Sequence, residues 1–95
     1  MDNTMDESIA REIRDFVVAN FLFGQDAGGL TEDASFLETG IIDSTGVLEL
    51  VAFLEQHYGI SVGDRELLPE NLDSVQNATR FVSRKLEAQG AQVAR

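Results

Sequence analysis

Apolar residues recur at spacings of three and four in three segments of the chain, which is the period of a helix with one buried face. The clearest segment lies between Asp43 and Gly59. Asp43 is a suitable N-cap and Gly59 a suitable C-cap, so the pattern predicts a helix whose first residue is Ser44. Its apolar face is formed by Val47, Leu50, Val51, Leu54 and Tyr58, and its polar face by Glu49, Ala52, Glu55 and Gln56.

The other two periodic segments lie nearer the ends of the chain. Thr4 and Glu7 have capping-box spacing, and the pattern after them predicts a first helix that Gly24 ends. Asp73 and Gln76 resemble a second capping arrangement in front of the last helix. The predicted apolar stripes are Ile9, Ile13, Phe16, Val17 and Phe21 in the first helix, and Val75, Ala78, Val82 and Leu86, with Phe81 at the edge, in the last.

Two intervening segments have no long apolar repeat. Residues 25–42 form a long connection, and we expect its apolar residues (Leu30, Phe36, Leu37, Ile41 and Ile42) to pin it to the core. Gly63-Asp64 is predicted to start a short helical turn that runs through Leu68 and is ended by Pro69. No segment alternates convincingly at period two. The predicted fold is therefore all-α, a small four-helix bundle with three longer helices and one short helix.

Length and composition restrict the classes of function. A chain of 95 residues is expected to form one domain that spans residues 1–95. The 17 acidic residues outnumber the 7 Lys and Arg residues, which gives a net charge of −10. This charge argues against binding to nucleic acid or to an anionic membrane surface, and it favours partners with basic docking patches. The polar first residues and the lack of a long apolar run lead us to expect a cytoplasmic protein, acting as a monomer.

The chain contains no cysteine, so a function that needs a thiol must take it from a prosthetic group. We also expect no metal site, because His57 is the only histidine and has no cluster of ligands around it. No catalytic site is predicted either. Ser44 and His57 belong to no hydrolase motif, and on one straight helix they would lie about 20 Å apart.

The segment from about Ser35 to Leu86 resembles an acyl carrier protein. The resemblance is carried by Asp43-Ser44 at the start of an acidic helix, Leu48-Glu49-Leu50 and Leu54-Glu55 within it, and Tyr58-Gly59-Ile60 after it. In that family the serine that matches Ser44 carries a 4′-phosphopantetheine arm derived from coenzyme A, and the arm holds cargo as a thioester. The resemblance implies that the partner-docking residues are Asp43, Thr45, Glu49, Glu55 and Gln56.

Gly46 departs from the pattern of many acyl carriers, which have a second aspartate two positions after the serine. Asp-Ser-x-Gly looks more like D-alanyl and other aminoacyl carrier proteins, as does Leu37-Glu38-Thr39-Gly40. The alternative interpretation is that a glycine in the first turn is simply tolerated. Gly46→Asp would restore the common acyl-carrier pattern, and we expect it to give a modestly more stable fold, because glycine disfavours helix and an acid suits a helix N-terminus.

The resemblance predicts a free-standing carrier without catalytic activity of its own. A phosphopantetheinyl transferase would modify Ser44, an acyl- or aminoacyl-activating ligase would load the arm, and a downstream synthase or transferase would take the cargo. Two alternatives stay open. One is an aminoacyl carrier loaded by an adenylating ligase, and the other is an interaction module that keeps the fold but is never modified.

Overall fold

A computed structural model of the chain describes residues 4–22 and 30–93. Its long helices are α1 (Thr4–Phe21), α3 (Ser44–Tyr58) and α5 (Val75–Val93). Between them lie two four-residue helices, α2 (Phe36–Thr39) and α4 (Pro69–Leu72), and a 3₁₀ turn (Asp64–Glu66). All regular elements in this part of the chain are helical, which confirms the predicted all-α bundle. The predicted short turn from Gly63-Asp64 through Leu68 is a 3₁₀ turn that ends earlier, at Glu66, and both four-residue helices are additional to the prediction. The predicted stop at Gly24 lies outside the described residues.

The core is formed where α1 and α5 pack against each other, with α3 and α4 also contacting α5. Burial follows the predicted stripes closely: Ile9, Ile13 and Val17 of α1, Leu50, Val51 and Leu54 of α3, and Val75, Ala78 and Val82 of α5 are all buried. Phe81 was expected at the edge of the last stripe but is buried as well. None of the helices in residues 4–22 and 30–93 combines the length and the apolar character that crossing a membrane requires.

Helix α3 has the predicted boundaries and both predicted caps. The Asp43 carboxylate accepts a hydrogen bond from the Gly46 amide at 2.7 Å, which satisfies one of the free N–H groups of the first turn. At the other end Gly59 adopts the left-handed conformation (φ 69°) and donates its N–H to the Glu55 carbonyl. Because this conformation favours glycine, the helix terminates at a fixed residue.

The connection before α3 is anchored to the core, as expected, but it also contains helix α2, which the sequence did not predict. Leu30, Phe36 and Ile42 are buried, whereas Leu37 stays exposed. Ser35 is the N-cap of α2, since its hydroxyl accepts from the Glu38 amide at 3.1 Å. A four-residue helix is too short to show a period in the sequence.

The connection between α3 and α5 differs from the prediction in two ways. Pro69 does not end a helix there. It is the first residue of α4, a position where its missing N–H costs nothing. The N-cap of α5 is Ser74 rather than Asp73, because the Ser74 hydroxyl accepts from the Asn77 amide at 3.0 Å.

Asp73 instead links this connection to the segment around α2. Its carboxylate accepts hydrogen bonds from the Ser35 hydroxyl and, at 3.0 Å, from the Leu37 amide. Its carbonyl accepts from the Phe36 amide at 2.7 Å. We call Asp73 with Ser35, Phe36 and Leu37 the polar clasp. It fixes α2 against the start of α5.

Helix α3 meets α1 through a row of aromatic rings, which we call the aromatic row. Phe16 lies edge-on to Phe21 at 6.0 Å between ring centroids and stacks on Phe53 at 4.3 Å. Phe53 in turn stacks on His57 at 5.0 Å. Such ring pairs add roughly 0.5–1.5 kcal/mol beyond the area they bury. The row therefore sets the spacing between α1 and α3 where their aromatic side chains meet, a contact that we call the seam.

Candidate functional site

Ser44 is exposed at the first position of α3, so its side chain is accessible to other molecules. The polypeptide reaches it through a tight turn in which Gly40 has φ 77° and Ile42 is fully buried. The amides of Ser44 and Thr45 have no acceptor within the helix, as in the first turn of any helix. A negatively charged group bound to this serine would therefore lie in a favourable electrostatic position.

An apolar cleft of about 300 Å³ opens beside Ser44, between α2, α3 and the start of α4. Three exposed leucines form its rim: Leu37 is 44 % exposed, Leu48 58 % and Leu68 42 %. The remaining lining residues are Ser44, Val47, Leu67, Pro69, Leu72 and Asp73. Sequence reasoning missed this cleft. The available signal was Leu48, a leucine on the polar face of α3 that the apolar stripe does not need.

A second groove, of about 330 Å³, lies on the other side of the first turn of α3, next to the end of α1. It brings together three of the predicted docking residues, Asp43, Thr45 and Glu49, all of which are exposed. The other residues that line it are Asn20, Phe21, Gly40, Ile41 and Gly46. The described residues that line the groove include two carboxylates and no cationic side chain, so the groove suits a basic partner surface.

The other two predicted docking residues are not part of either concavity beside Ser44. Gln56 is exposed in the last turns of α3. Glu55 is half-buried, and its carboxylate accepts a hydrogen bond from the Val62 amide at 2.8 Å. Glu55 therefore has a structural contact that the sequence did not indicate, because it holds the segment after α3 against the helix.

Gly46 is buried and closely surrounded, which corrects the expectation for the Gly46→Asp substitution. A Cβ atom at this position would lie 2.8 Å from Phe21 Cε1, 2.9 Å from Ile42 Cγ2 and 3.2 Å from Asp43 Oδ1. Because carbon atoms in contact are normally about 3.5–4.0 Å apart, a side chain here requires its neighbours to move. The close packing argues against the predicted stabilisation, because the loss of fit opposes the gain in helix propensity and a second carboxylate would also approach Asp43.

His57 lies at the far end of α3 from Ser44 and takes part in a separate polar cluster. Tyr58 donates to Glu12 Oε1 at 2.6 Å, and His57 Nε2 lies 3.1 Å from the same oxygen. The hydrogen bond from Tyr58 lowers the pKa of Glu12, while burial and this carboxylate raise the pKa of Tyr58. Within residues 4–22 and 30–93, no group of three or more His, Cys, Asp or Glu side chains is arranged to bind a metal ion.

Comparisons with known proteins match the part of the chain that contains this site. The family described as "phosphopantetheine attachment site" matches residues 22–82, which contain the turn, α3 and all residues that line the apolar cleft. The chain is also 34 % identical over 68 residues to the "Probable acyl carrier protein PigG" of Serratia sp. (strain ATCC 39006). That alignment covers 72 % of this chain and 77 % of the Serratia protein.

Proposed function

The chain belongs to the acyl carrier protein family, whose members bear a 4′-phosphopantetheine group and act as carriers rather than catalysts, and we propose that Ser44 is its attachment site. The observation that carries this proposal is the setting of Ser44. It is an exposed serine at the N-terminus of a capped helix, inside the segment that matches the family.

The surroundings of the other serines in the matched segment support this choice. The Ser74 side chain is buried at 4 % exposure and caps α5. Ser35 caps α2 and donates its hydroxyl proton to Asp73 in the polar clasp. Ser61 is exposed but lies in the non-helical segment after α3. Ser44 alone among these four combines exposure with a helix N-terminus.

The fit of the prosthetic group rests on its phosphodiester. A phosphodiester on Ser44 would sit where free amides and the dipole of α3 favour an anion by about 0.3–1 kcal/mol. The transferase would form a bond between Ser44 Oγ and a phosphorus of coenzyme A while the bond from that phosphorus to the nucleotide breaks. The serine proton would pass to a base of the transferase, and magnesium would neutralise the phosphates. The carrier contributes an accessible hydroxyl on a rigid helix.

We propose that the loaded arm carries an acyl group as a thioester. The arm supplies the thiol that this cysteine-free chain lacks, and attachment raises the effective concentration of cargo at a docked enzyme. The apolar cleft beside Ser44 favours an acyl cargo over a charged aminoacyl cargo. The Asp-Ser-x-Gly pattern no longer favours the aminoacyl alternative, since close packing accounts for Gly46.

The proposed partners are a phosphopantetheinyl transferase, an activating ligase and a downstream synthase or transferase. Each would present basic side chains to the acidic groove formed by Asp43, Thr45 and Glu49, and apolar side chains to the leucine rim of the cleft. Because coenzyme A and ATP-dependent ligases are available in the cytoplasm, we propose that the carrier is loaded there.

Intact-protein mass spectrometry tests the attachment site. After incubation with coenzyme A, magnesium and a broad-specificity transferase, the wild-type protein should gain one phosphopantetheinyl group. Ser44→Ala should abolish the gain and keep the helical circular dichroism signal, because Asp43 still caps α3 and alanine is a good helix former. Ser61→Ala, which removes the other exposed serine of the matched segment, should be modified like the wild type.

Two results would contradict the assignment. Modification of the Ser44→Ala protein would place the arm elsewhere. Failure of several transferases to modify the folded wild-type protein would support the interaction-module alternative.

A further inference from the structure

We infer that Gly46 is a positioning residue for Ser44, because its lack of a side chain lets the first turn of α3 rest directly on Phe21 and Ile42. This inference rests on the proposed modification of Ser44. It assigns to Gly46 a role in the transfer reaction rather than in the choice of cargo.

Three atoms closely surround the place that a Cβ on residue 46 would occupy. A Cβ on Gly46 would come about 0.6–1.2 Å closer to Phe21 Cε1 and Ile42 Cγ2 than carbon atoms normally approach. It would also lie 3.2 Å from Asp43 Oδ1, the atom that caps α3. Gly46 does not have a positive φ, unlike Gly40 and Gly59. What this position requires is therefore space, and not a left-handed backbone.

Ile42 has little room to move away, and Phe21, although half-buried, is held by a contact with another ring. Ile42 is fully buried, its side chain is β-branched, and its amide donates to the Phe36 carbonyl at 3.2 Å. Phe21 is the end of the aromatic row, where it lies edge-on to Phe16, which itself stacks on Phe53. Movement of the Phe21 ring therefore disturbs the seam between α1 and α3.

A side chain at position 46 therefore also pushes the start of α3 away from Phe21 and Ile42. Ser44 lies two residues before Gly46 in the same turn, so its hydroxyl shifts with the helix. Group transfer is sensitive to such displacements, since an error of about 1 Å in position can cost about a hundredfold in rate. A methyl group at position 46 should consequently slow modification of Ser44 even in a fully folded protein.

The test compares Gly46→Ala with Gly63→Ala in steady-state assays of phosphopantetheinyl transfer. Gly63 is a matched control, because a Cβ there would meet only Glu66 Oε1, at 3.7 Å. For Gly46→Ala we expect kcat to fall about 10–100-fold with little change in KM, at a temperature where circular dichroism shows the variant to be folded. Partial unfolding would instead raise KM and leave kcat unchanged, since it only lowers the concentration of competent carrier.

A compensating substitution provides the second readout. Phe21→Leu removes the ring edge nearest to position 46. The kcat of the Gly46→Ala/Phe21→Leu protein should therefore be at least threefold higher than that of Gly46→Ala, after correction for the effect of Phe21→Leu alone. Wild-type kinetics for Gly46→Ala, or equal losses in Gly46→Ala and Gly63→Ala, would overturn the inference. If Gly46→Ala does not fold, the double variant should fold and be modified at nearly the rate of Phe21→Leu. A double variant that also fails to fold would refute the pairing.

These results are separable from a failure of the proposed function. If Ser44 is not the attachment site, Ser44→Ala is modified or the wild type is not. If only the present inference fails, the wild type is modified at Ser44 and Gly46→Ala matches it.

Discussion

Leu54→Ala and Leu48→Ala make the same chemical change on the same helix at opposite extremes of burial. Leu54 has no exposed surface, whereas Leu48 is 58 % exposed on the rim of the cleft. Truncating a fully buried leucine removes its transfer free energy and leaves a cavity, which together cost about 2–5 kcal/mol. An exposed substitution normally changes stability by no more than about 0.5 kcal/mol. The change in helix propensity is the same in both variants, so the difference between their losses in unfolding free energy reports the effect of burial.

The expected loss at Leu54 is large relative to the stability of a small protein, which is about 5–15 kcal/mol. Urea unfolding followed by helical circular dichroism measures it, with all proteins in the same modification state. With a slope of about 1–2 kcal/mol per molar urea, the midpoint of Leu54→Ala should fall by about 1–5 M, while that of Leu48→Ala should hardly move. A loss below about 1 kcal/mol at Leu54, or equal losses in both variants, would refute the described packing of α3.

Three further predictions concern charged side chains. Glu49→Lys should lower kcat/KM for transferase and ligase and weaken association in a salt-dependent manner without changing stability, and unchanged partner kinetics would exclude the acidic groove as a docking surface. Glu55→Lys should also lower stability in urea, because the Val62 amide loses its acceptor. Hydrogen bonding from the Gly63 amide, and then from Lys85, lowers the pKa of Glu66 from its ordinary 4.5. The ionised Glu66 therefore contributes stability to the folded state, which is fully present above pH 4.5 and is lost as the pH falls through the lowered pKa. Glu66→Gln should therefore be less stable than wild type near neutral pH, and the difference should disappear in acid; a difference independent of pH would contradict the assignment.

Local signals in the sequence were sufficient to predict α3 and the position of Ser44. Asp43 and Gly59 mark the ends of a strong 3.6-residue period, and the structure places both caps as predicted. Helix α2 could not be predicted in this way, because four residues do not complete a recognisable period. Pro69 was ambiguous in principle, since proline both follows helices and begins them.

The features around Ser44 that were missed depend on contacts between distant residues. The apolar cleft combines Leu37, Leu48 and Leu68 from three separate elements. The tight fit at Gly46 depends on Phe21, 25 positions earlier in the chain. The first-turn propensity rules that predicted stabilisation by Gly46→Asp consider only the helix itself. Packing of Gly46 against Phe21 and Ile42 opposes that expectation.

The polar clasp has a consequence for synthesis of the chain. Ser35 and Leu37 precede Asp73 by 38 and 36 positions. The ribosome therefore releases the segment that leads to Ser44 well before the residue that fastens it. Local contacts allow α3 to form early, but α2 cannot be secured until Asp73 and the start of α5 have emerged and the long intervening loop has closed. A nascent chain or a truncation that ends before Asp73 would consequently display Ser44 without the finished wall of the cleft, and the proposed transferase would meet the complete site only after the last helix has begun to form.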